Sequence, residues 1–307
     1  MTRVAAQQAP GASLGIVRAA PAKLNLYLHV TGKRADGYHL LDSLVAFAGV
    51  HDTIVARGAG DLTLALDGPF AAELSGESDN LVLRAAKLLR AHAGVTAGAA
   101  ITLIKRLPVA SGIGGGSADA AAALRALDAL WRTGAGDQDL AALALELGAD
   151  VPVCLFGRAA FVGGIGERIV TAPRLPPAWL VLANPRLPLS TAQVFAARQG
   201  VFSENARFAD TAKDLAGLAL VLAARRNDLA APAIMLCPEI SRVIGALLRA
   251  GGCRLARMSG SGATCFGLFD DEPAARRAAR DIAAAEPGWW VAAGELVTDT
   301  SALTPLI

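Results

Sequence analysis

The sequence carries no excess of charge of either sign, and that removes one class of function at the outset. Lys and Arg number 29 against 27 Asp and Glu, a formal net charge of +2. No run of five or more basic residues occurs, so the chain lacks the electrostatic footprint of a nucleic-acid binder. Long hydrophobic runs are missing too. The longest uncharged stretches, such as 91–104, fall short of the ~18 residues that a membrane span needs, and glycines interrupt them. Hydrophobic residues make up 53% of the chain and charged ones 18%, which excludes disorder and assigns the apolar content to a buried core. With 307 residues there is room for two domains or one large one.

Cysteine is scarce and unpaired in pattern. Cys154, Cys237, Cys253 and Cys265 form no Cys-x-x-Cys and have no histidine at ligand spacing, so neither a disulfide framework nor a local zinc motif is expected. Buried, reduced thiols suit a cytoplasmic protein. Residues 1–13 lack the charged start and apolar run of a signal peptide and are expected to form a loose tail.

Three common nucleotide-binding motifs are absent: the Walker loop, the Gly-x-Gly-x-x-Gly fingerprint and the protein-kinase signature. In their place stands Lys105-Arg-Leu-Pro-Val-Ala-Ser-Gly-Ile-Gly-Gly-Gly-Ser-Ala-Asp-Ala120. The residues before it (101–104) read as a short strand, and 117–131 reads as a helix, with Leu124, Leu127 and Leu130 at helical spacing. Between them lie Gly112, Gly114, Gly115 and Gly116. A strand, a glycine-rich loop and a helix start bring bare N–H groups to the positive end of a helix dipole, which makes an anion site whose usual occupant is phosphate. Ser117 can cap the helix or offer a hydroxyl, and a side chain at Gly115 would strain a positive-φ position.

Along the rest of the chain, period-two alternation from Lys23 to Val30 predicts a strand. It puts Leu24, Leu26, Leu28 and Val30 on one face and Lys23, Asn25, Tyr27 and His29 on the other. A turn at 35–37 leads to Tyr38, His39 and a second apolar stretch through Val50. Strands are expected at 54–57, 62–66, 153–156, 159–162 and 179–183. A helix begins after Ser78-Asp79-Asn80, with Asp79 or Asn80 as its N-cap. Another spans 137–147 and stops at Gly148, and Pro152 gives Asp150 an extended exit. Pro173, Pro176 and Pro177 mark a domain boundary near 175. The second half reads as helices at 190–198, 214–225, 239–250 and 272–286 with strands at 254–258, 263–268 and 289–293, an α+β arrangement.

Taken together, Pro21-Ala-Lys-Leu-Asn-Leu26 with Asp36-Gly-Tyr-His39, the loop at 108–118 and Ser259-Gly-Ser-Gly-Ala-Thr264 resemble the three motifs of the galactokinase, homoserine kinase, mevalonate kinase and phosphomevalonate kinase (GHMP) superfamily. Within it, Arg34-Ala-Asp-Gly-Tyr-His39 and Gly148-Ala-Asp-Val-Pro152 are similar to the branch acting on a cytidine-diphosphate sugar alcohol in the non-mevalonate isoprenoid route. The resemblance runs from about residue 15 to about 270. It implies a two-domain α+β fold: an S5-like ATP-binding domain over 1–175 and a ferredoxin-like, substrate-side domain over 176–307.

It also implies a cytoplasmic enzyme that transfers phosphate from ATP, with Mg²⁺, to the 2-hydroxyl of a cytidine-diphosphate sugar alcohol, with no nucleic-acid or membrane partner. On this mapping Asp150 is the base and Lys23 its partner. Pro108, Gly112, Gly114, Gly115, Gly116 and Ser117 hold the ATP phosphates, and Asn80 reaches the adenine. Asn25, Gly260 and Gly262 line the cleft, and Tyr38, His39 and Phe195 hold the cytosine. Ser117 is the one residue assigned to the metal. Phosphoryl transfer needs positioning and charge neutralisation, and a carboxylate to accept the hydroxyl proton, which this set supplies. Ser111 stands where the family pattern has glycine. The competing readings are another GHMP kinase, acting on homoserine or a mevalonate derivative, and a non-catalytic relative. Tyr38-His39 argues against the first and the presence of Lys23 and Asp150 against the second.

Overall fold

The structure is a computed structural model that describes residues 15–76 and 79–306. The tail expected over 1–13, and Ser78, lie outside the described residues. The first half is built on two long strands, β1 (Ile16–Lys33) and β2 (His39–Ala59), paired antiparallel from Lys33–His39 to Ile16–Ala56. Gly37, at φ +92, makes the turn between them. β2 is one continuous strand where the sequence suggests two, because different partners continue its pairing at each end. β3 (Leu62–Asp67) runs parallel to β4 (Gly98–Ile104), and β4 pairs with the far end of β2, from Thr53 to Ala59. The near end of β2, Leu41 to Val45, pairs with β5 (Ala160–Gly164), which in turn carries β6 (Arg168–Thr171).

Four helices, α1 (Leu81–His92), α2 (Gly115–Trp131), α3 (Asp137–Leu147) and α4 (Val151–Phe156), belong to this half. Their apolar residues share one core with the sheet, among them Leu89, Leu124, Leu143 and Ile54. Alanine is frequent in α2, which lets it sit close to the sheet: residues 118–124 are all buried.

Two expectations fail here. Residues 153–156 are helical, not a strand: Pro152 occupies the first turn of α4, where no amide donor is required, and Gly157 at φ +66 ends the helix. Asp150 is therefore not followed by extended chain but stands at the N-cap position of α4. In β1, the pairing register slips between Asn25 and Tyr27. The slip breaks the alternation: Tyr27 joins the core cluster of Leu24 and Leu26 instead of sharing a face with Lys23.

The second half contains β7 (Trp179–Asn184), α5 (Thr191–Ala197), α6 (Leu215–Ala223), α7 (Ala230–Leu236), α8 (Glu239–Arg249), β8 (Cys253–Met258), β9 (Cys265–Phe269), α9 (Glu272–Ala285) and β10 (Trp290–Val297). Its strands run antiparallel in the order β10, β7, β9, β8. The helical spacing of Ile240, Val243 and Leu247 buries one face of α8 against them. β10 also reaches β2 through Leu296–Ala48 and Val297–Phe47, so the two halves share one ten-stranded sheet. A core that includes Leu24, Leu26, Leu180, Leu182 and Phe266 runs through both. Among the described residues, no single helix is long and apolar enough to cross a membrane.

Candidate active site

The loop between β4 and α2 is shaped by two left-handed glycines, Gly112 (φ +76) and Gly114 (φ +64). A Cβ on Gly112 would lie 2.1 Å from the carbonyl oxygen of Gly262, so no larger residue fits there. Gly114 is the N-cap of α2, and Ser117 lies inside the first helical turn, not at the cap. Gly115 begins the helix without a positive φ, contrary to the expectation that it would need one. The amides of 115–117 precede the first intrahelical donor, Ala118, whose N–H reaches Gly114 O at 2.8 Å. Ser111 closes the loop: its hydroxyl donates to Pro108 O (2.7 Å), and its carbonyl accepts from Thr264 N (3.1 Å) and Thr264 Oγ1 (2.6 Å).

β1 enters beside this loop and is fastened to it, with Lys23 N donating to Ile113 O at 2.8 Å. The Lys23 side chain is 5% exposed and has two partners. Its ammonium lies 3.0 Å from Asp150 Oδ2 and donates to Asn25 Oδ1, also at 3.0 Å. Asn25 is oriented in turn, donating through Nδ2 to Ser43 Oγ (2.8 Å), which donates to Tyr27 O (2.6 Å). Lys23 is therefore fixed and nearly dry, whereas half of the Asp150 side chain faces solvent.

A cavity of about 510 Å³ opens here. Lys23, Asn25 and Asp150 line it together with Pro108, Gly112 and the 114–117 amide turn. Asn80 borders it from the N-cap of α1, where it accepts from Val82 N at 2.9 Å. Phe195 and Gly260 complete the wall from the second half. Three expected residues stand outside this wall. Tyr38 is 61% exposed. His39 stacks on Phe195, with centroids 5.1 Å apart and planes 24° off parallel, so the two rings fill the space between themselves. Burial, and then the charges of Lys33 and Arg198, hold the His39 imidazole below its ordinary pKa. Gly262 lies behind the wall, where a Cβ would strike Met258 Sδ at 2.7 Å.

The sequence reading missed the polar groups that support the site. Lys105, 2% exposed, donates to Asp52 Oδ2 (2.6 Å) and Asp119 Oδ2 (2.7 Å), which ties β2, the end of β4 and α2 together at the cavity that Lys105 and Asp119 also line. Asp52 also accepts from Leu107 N at 2.8 Å. Burial would lower the Lys105 pKa, but the two carboxylates hold it above its ordinary value. Burial pushes Asp119 up to about 8 against the pull of Lys105, with the Asp52 charge adding to the rise. The Oδ1 atom of Asp119 is buried without a hydrogen-bond partner. These partners are 53 and 14 residues from Lys105 in sequence, and no periodicity marks them.

Among the described residues no group of three or more His, Cys, Asp and Glu could enclose a metal ion. That donor set does not fit a protein-only metal cage. It does fit Mg²⁺ carried by nucleotide phosphates, which takes one or two protein oxygens and keeps its waters.

The profile for the GHMP kinases N terminal domain matches residues 80–158, and that for the GHMP kinases C terminal matches residues 209–287. The chain is 54% identical over 279 residues to a 4-diphosphocytidyl-2-C-methyl-D-erythritol kinase of Paramagnetospirillum magneticum, covering 91% of this chain and 98% of that one. It is 56% identical over 285 residues to the enzyme of the same name from Cereibacter sphaeroides, with the same coverage. A crystal structure of 4-(cytidine 5'-diphospho)-2C-methyl-D-erythritol kinase superposes with a TM-score of 0.75 at 38% identity, over 92% of this chain and 99% of that one. Homoserine kinase from Cytophaga hutchinsonii shares the fold at TM-score 0.70 and 18% identity, over 95% and 98% of the two chains. With both halves matched in order and the phosphate loop, Lys23 and Asp150 gathered at one cavity, the chain belongs to the GHMP kinases and, within them, to the 4-diphosphocytidyl-2-C-methyl-D-erythritol kinase family.

Proposed function

We propose that the protein transfers the γ-phosphoryl group of ATP to the 2-hydroxyl of 4-diphosphocytidyl-2-C-methyl-D-erythritol, with Asp150 as general base. The observation that carries the reading is the 3.0 Å Lys23–Asp150 pair on the wall of the same cavity as the α2 amide turn. The 115–117 amides and the helix dipole bind the phosphates. The Asp150 carboxylate takes the hydroxyl proton as the new O–P bond forms and the bond between Pγ and the β–γ bridging oxygen breaks, releasing ADP. Lys23, held by Asn25, keeps the base in place and stabilises charge on the transferred group. Bound Mg²⁺, for which Ser117 offers a hydroxyl, would neutralise phosphate charge. Phe195, backed by His39, offers an aromatic face at the cavity wall suited to a pyrimidine base, which stacks on a π face and offers a polar edge.

An ADP-release assay tests this with 4-diphosphocytidyl-2-C-methyl-D-erythritol, uncytidylylated methylerythritol, homoserine and mevalonate as acceptors. Turnover confined to the first, with phosphorus NMR placing the new ester at the 2-hydroxyl, is the expected result. Comparable turnover of an acceptor without cytidine diphosphate would overturn the assignment.

A further inference from the structure

We propose that Asn227, outside all three motif blocks, is a positioning residue for this reaction, its carboxamide setting the glycine turn 259–262 against Asn25 and the phosphate loop. The inference rests on the kinase reading above. The segment after α6 lies along β1: Leu28 N donates to Arg226 O (3.0 Å), Asp228 N to Leu28 O (2.8 Å), and Val30 N to Asp228 Oδ2 (2.8 Å). Between those anchors Asn227 is 6% exposed and points to the glycine turn. Its Nδ2 donates to Met258 O at 2.9 Å and to Gly260 O at 2.8 Å, and its Oδ1 accepts from Leu229 N at 2.9 Å.

The opposite side of the turn meets the reactive groups. Ser259 Oγ accepts from Asn25 N at 3.1 Å. A Cβ on Gly260 would lie 2.7 Å from Gly112 O and 3.4 Å from Asn25 Oδ1, the atom that receives the Lys23 ammonium. The turn is thus wedged between Asn227 and the Asn25–Lys23–Asp150 chain, and a shift on one side is passed to the other. The chemistry of position 227 is narrow. Two carbonyls demand two donors and one amide demands an acceptor, within the reach of a two-carbon side chain. Asparagine supplies all three. Ionised aspartate, nearly the same shape, supplies no donor and faces the carbonyls with like charge.

The test compares N227D, N227A and N227S with the native enzyme, measuring kcat, KM for each substrate and melting temperature. The expected order of kcat is native, N227S, N227A, N227D, with N227D down by about 10²-fold, the scale of a misplacement near 1 Å. KM for ATP is expected to change less than kcat, because the 115–117 amides belong to α2 while the turn meets the loop only at Gly112. If N227D does not fold, the kcat-against-KM split in N227S decides alone. Native-like kcat in the folded variants, with only the melting temperature lowered, would make Asn227 a structural stitch and overturn the proposal. A native enzyme inactive on the cytidylylated substrate would instead refute the kinase reading.

Discussion

Asp150 and Lys23 divide the work of one ion pair unequally. Lys23 is 4% exposed, and its partners Asn25 and Asp150 fix its ammonium. Asp150 keeps half of its side chain open at the cavity, the exposure that the proposed role of general base requires. The expected result for D150N is a kcat lower by ~10²–10⁴-fold, the range for loss of a general base, with the ATP dissociation constant nearly unchanged. Calorimetric titration of ATP beside steady-state kinetics checks this. A kcat close to native at saturation would leave Asp150 as a residue that only occupies the N-cap position of α4, where its side chain makes no capping hydrogen bond.

Among the elements, α2 has an exacting first turn. Gly114, at φ +64, leaves 3.1 Å between a built Cβ and Lys23 Cε. In G114A the left-handed backbone costs about 1–3 kcal/mol, and the methyl group presses on the lysine that meets Asp150. The loss in kcat is expected to exceed what the fall in melting temperature accounts for. Equal stability loss with native kcat would show that Lys23 tolerates the displacement.

One turn further on, Asp119 joins α2 to Lys105 and Asp52. Its folded pKa of about 8 lies above the ordinary carboxyl value of 3.8. The folded state therefore binds the proton more tightly than the unfolded chain does. The stabilisation is complete below pH 3.8 and is lost as pH rises towards 8. D119N has no such titration, so its melting temperature, relative to native, is expected to rise between pH 5 and pH 8.5 in metal-free buffer. A difference flat across that window would mean that Asp119 is ionised throughout.

At the scale of the molecule, the halves contribute different things to one cavity. The first supplies the phosphate loop, Lys23 and Asp150, and the second supplies Phe195 and the glycine turn. They are held in register by the β2–β10 pairing and by Thr264, which binds Ser111 O and accepts from Asn184 Nδ2 at 2.8 Å. F195A should therefore separate the two substrates. Base–aromatic stacking is worth roughly 1–3 kcal/mol, so KM for the cytidylylated substrate is expected to rise by about 5- to 150-fold while KM for ATP holds. Phe195 also packs against the core of the second half, so some loss of melting temperature accompanies it. Equal rises in both KM values would reduce Phe195 to packing alone.

The sequence by itself determined the local chemistry. Four glycines in five residues before an alanine-rich helix pointed to a strand–loop–helix anion site over a plain surface loop, and the spacing of Lys23 and Asn25 on a strand was legible from period two alone. Helix α3 was readable to its ends because Gly148 stops it. Tertiary structure decided the rest. Residues 153–156 are as apolar as a strand but become helical because Pro152 and Gly157 bracket one short turn of chain against α2 and α3. The register slip in β1 took Tyr27 from the Lys23 face into the core. Lys105, Asp52 and Asp119 look like ordinary charged residues in sequence, and only folding brings both carboxylates within 2.7 Å of the ammonium. Asn227 becomes a clamp for the same reason: its partners are two carbonyls about thirty residues away, and hydrogen bonding to the backbone leaves no residue pattern to read.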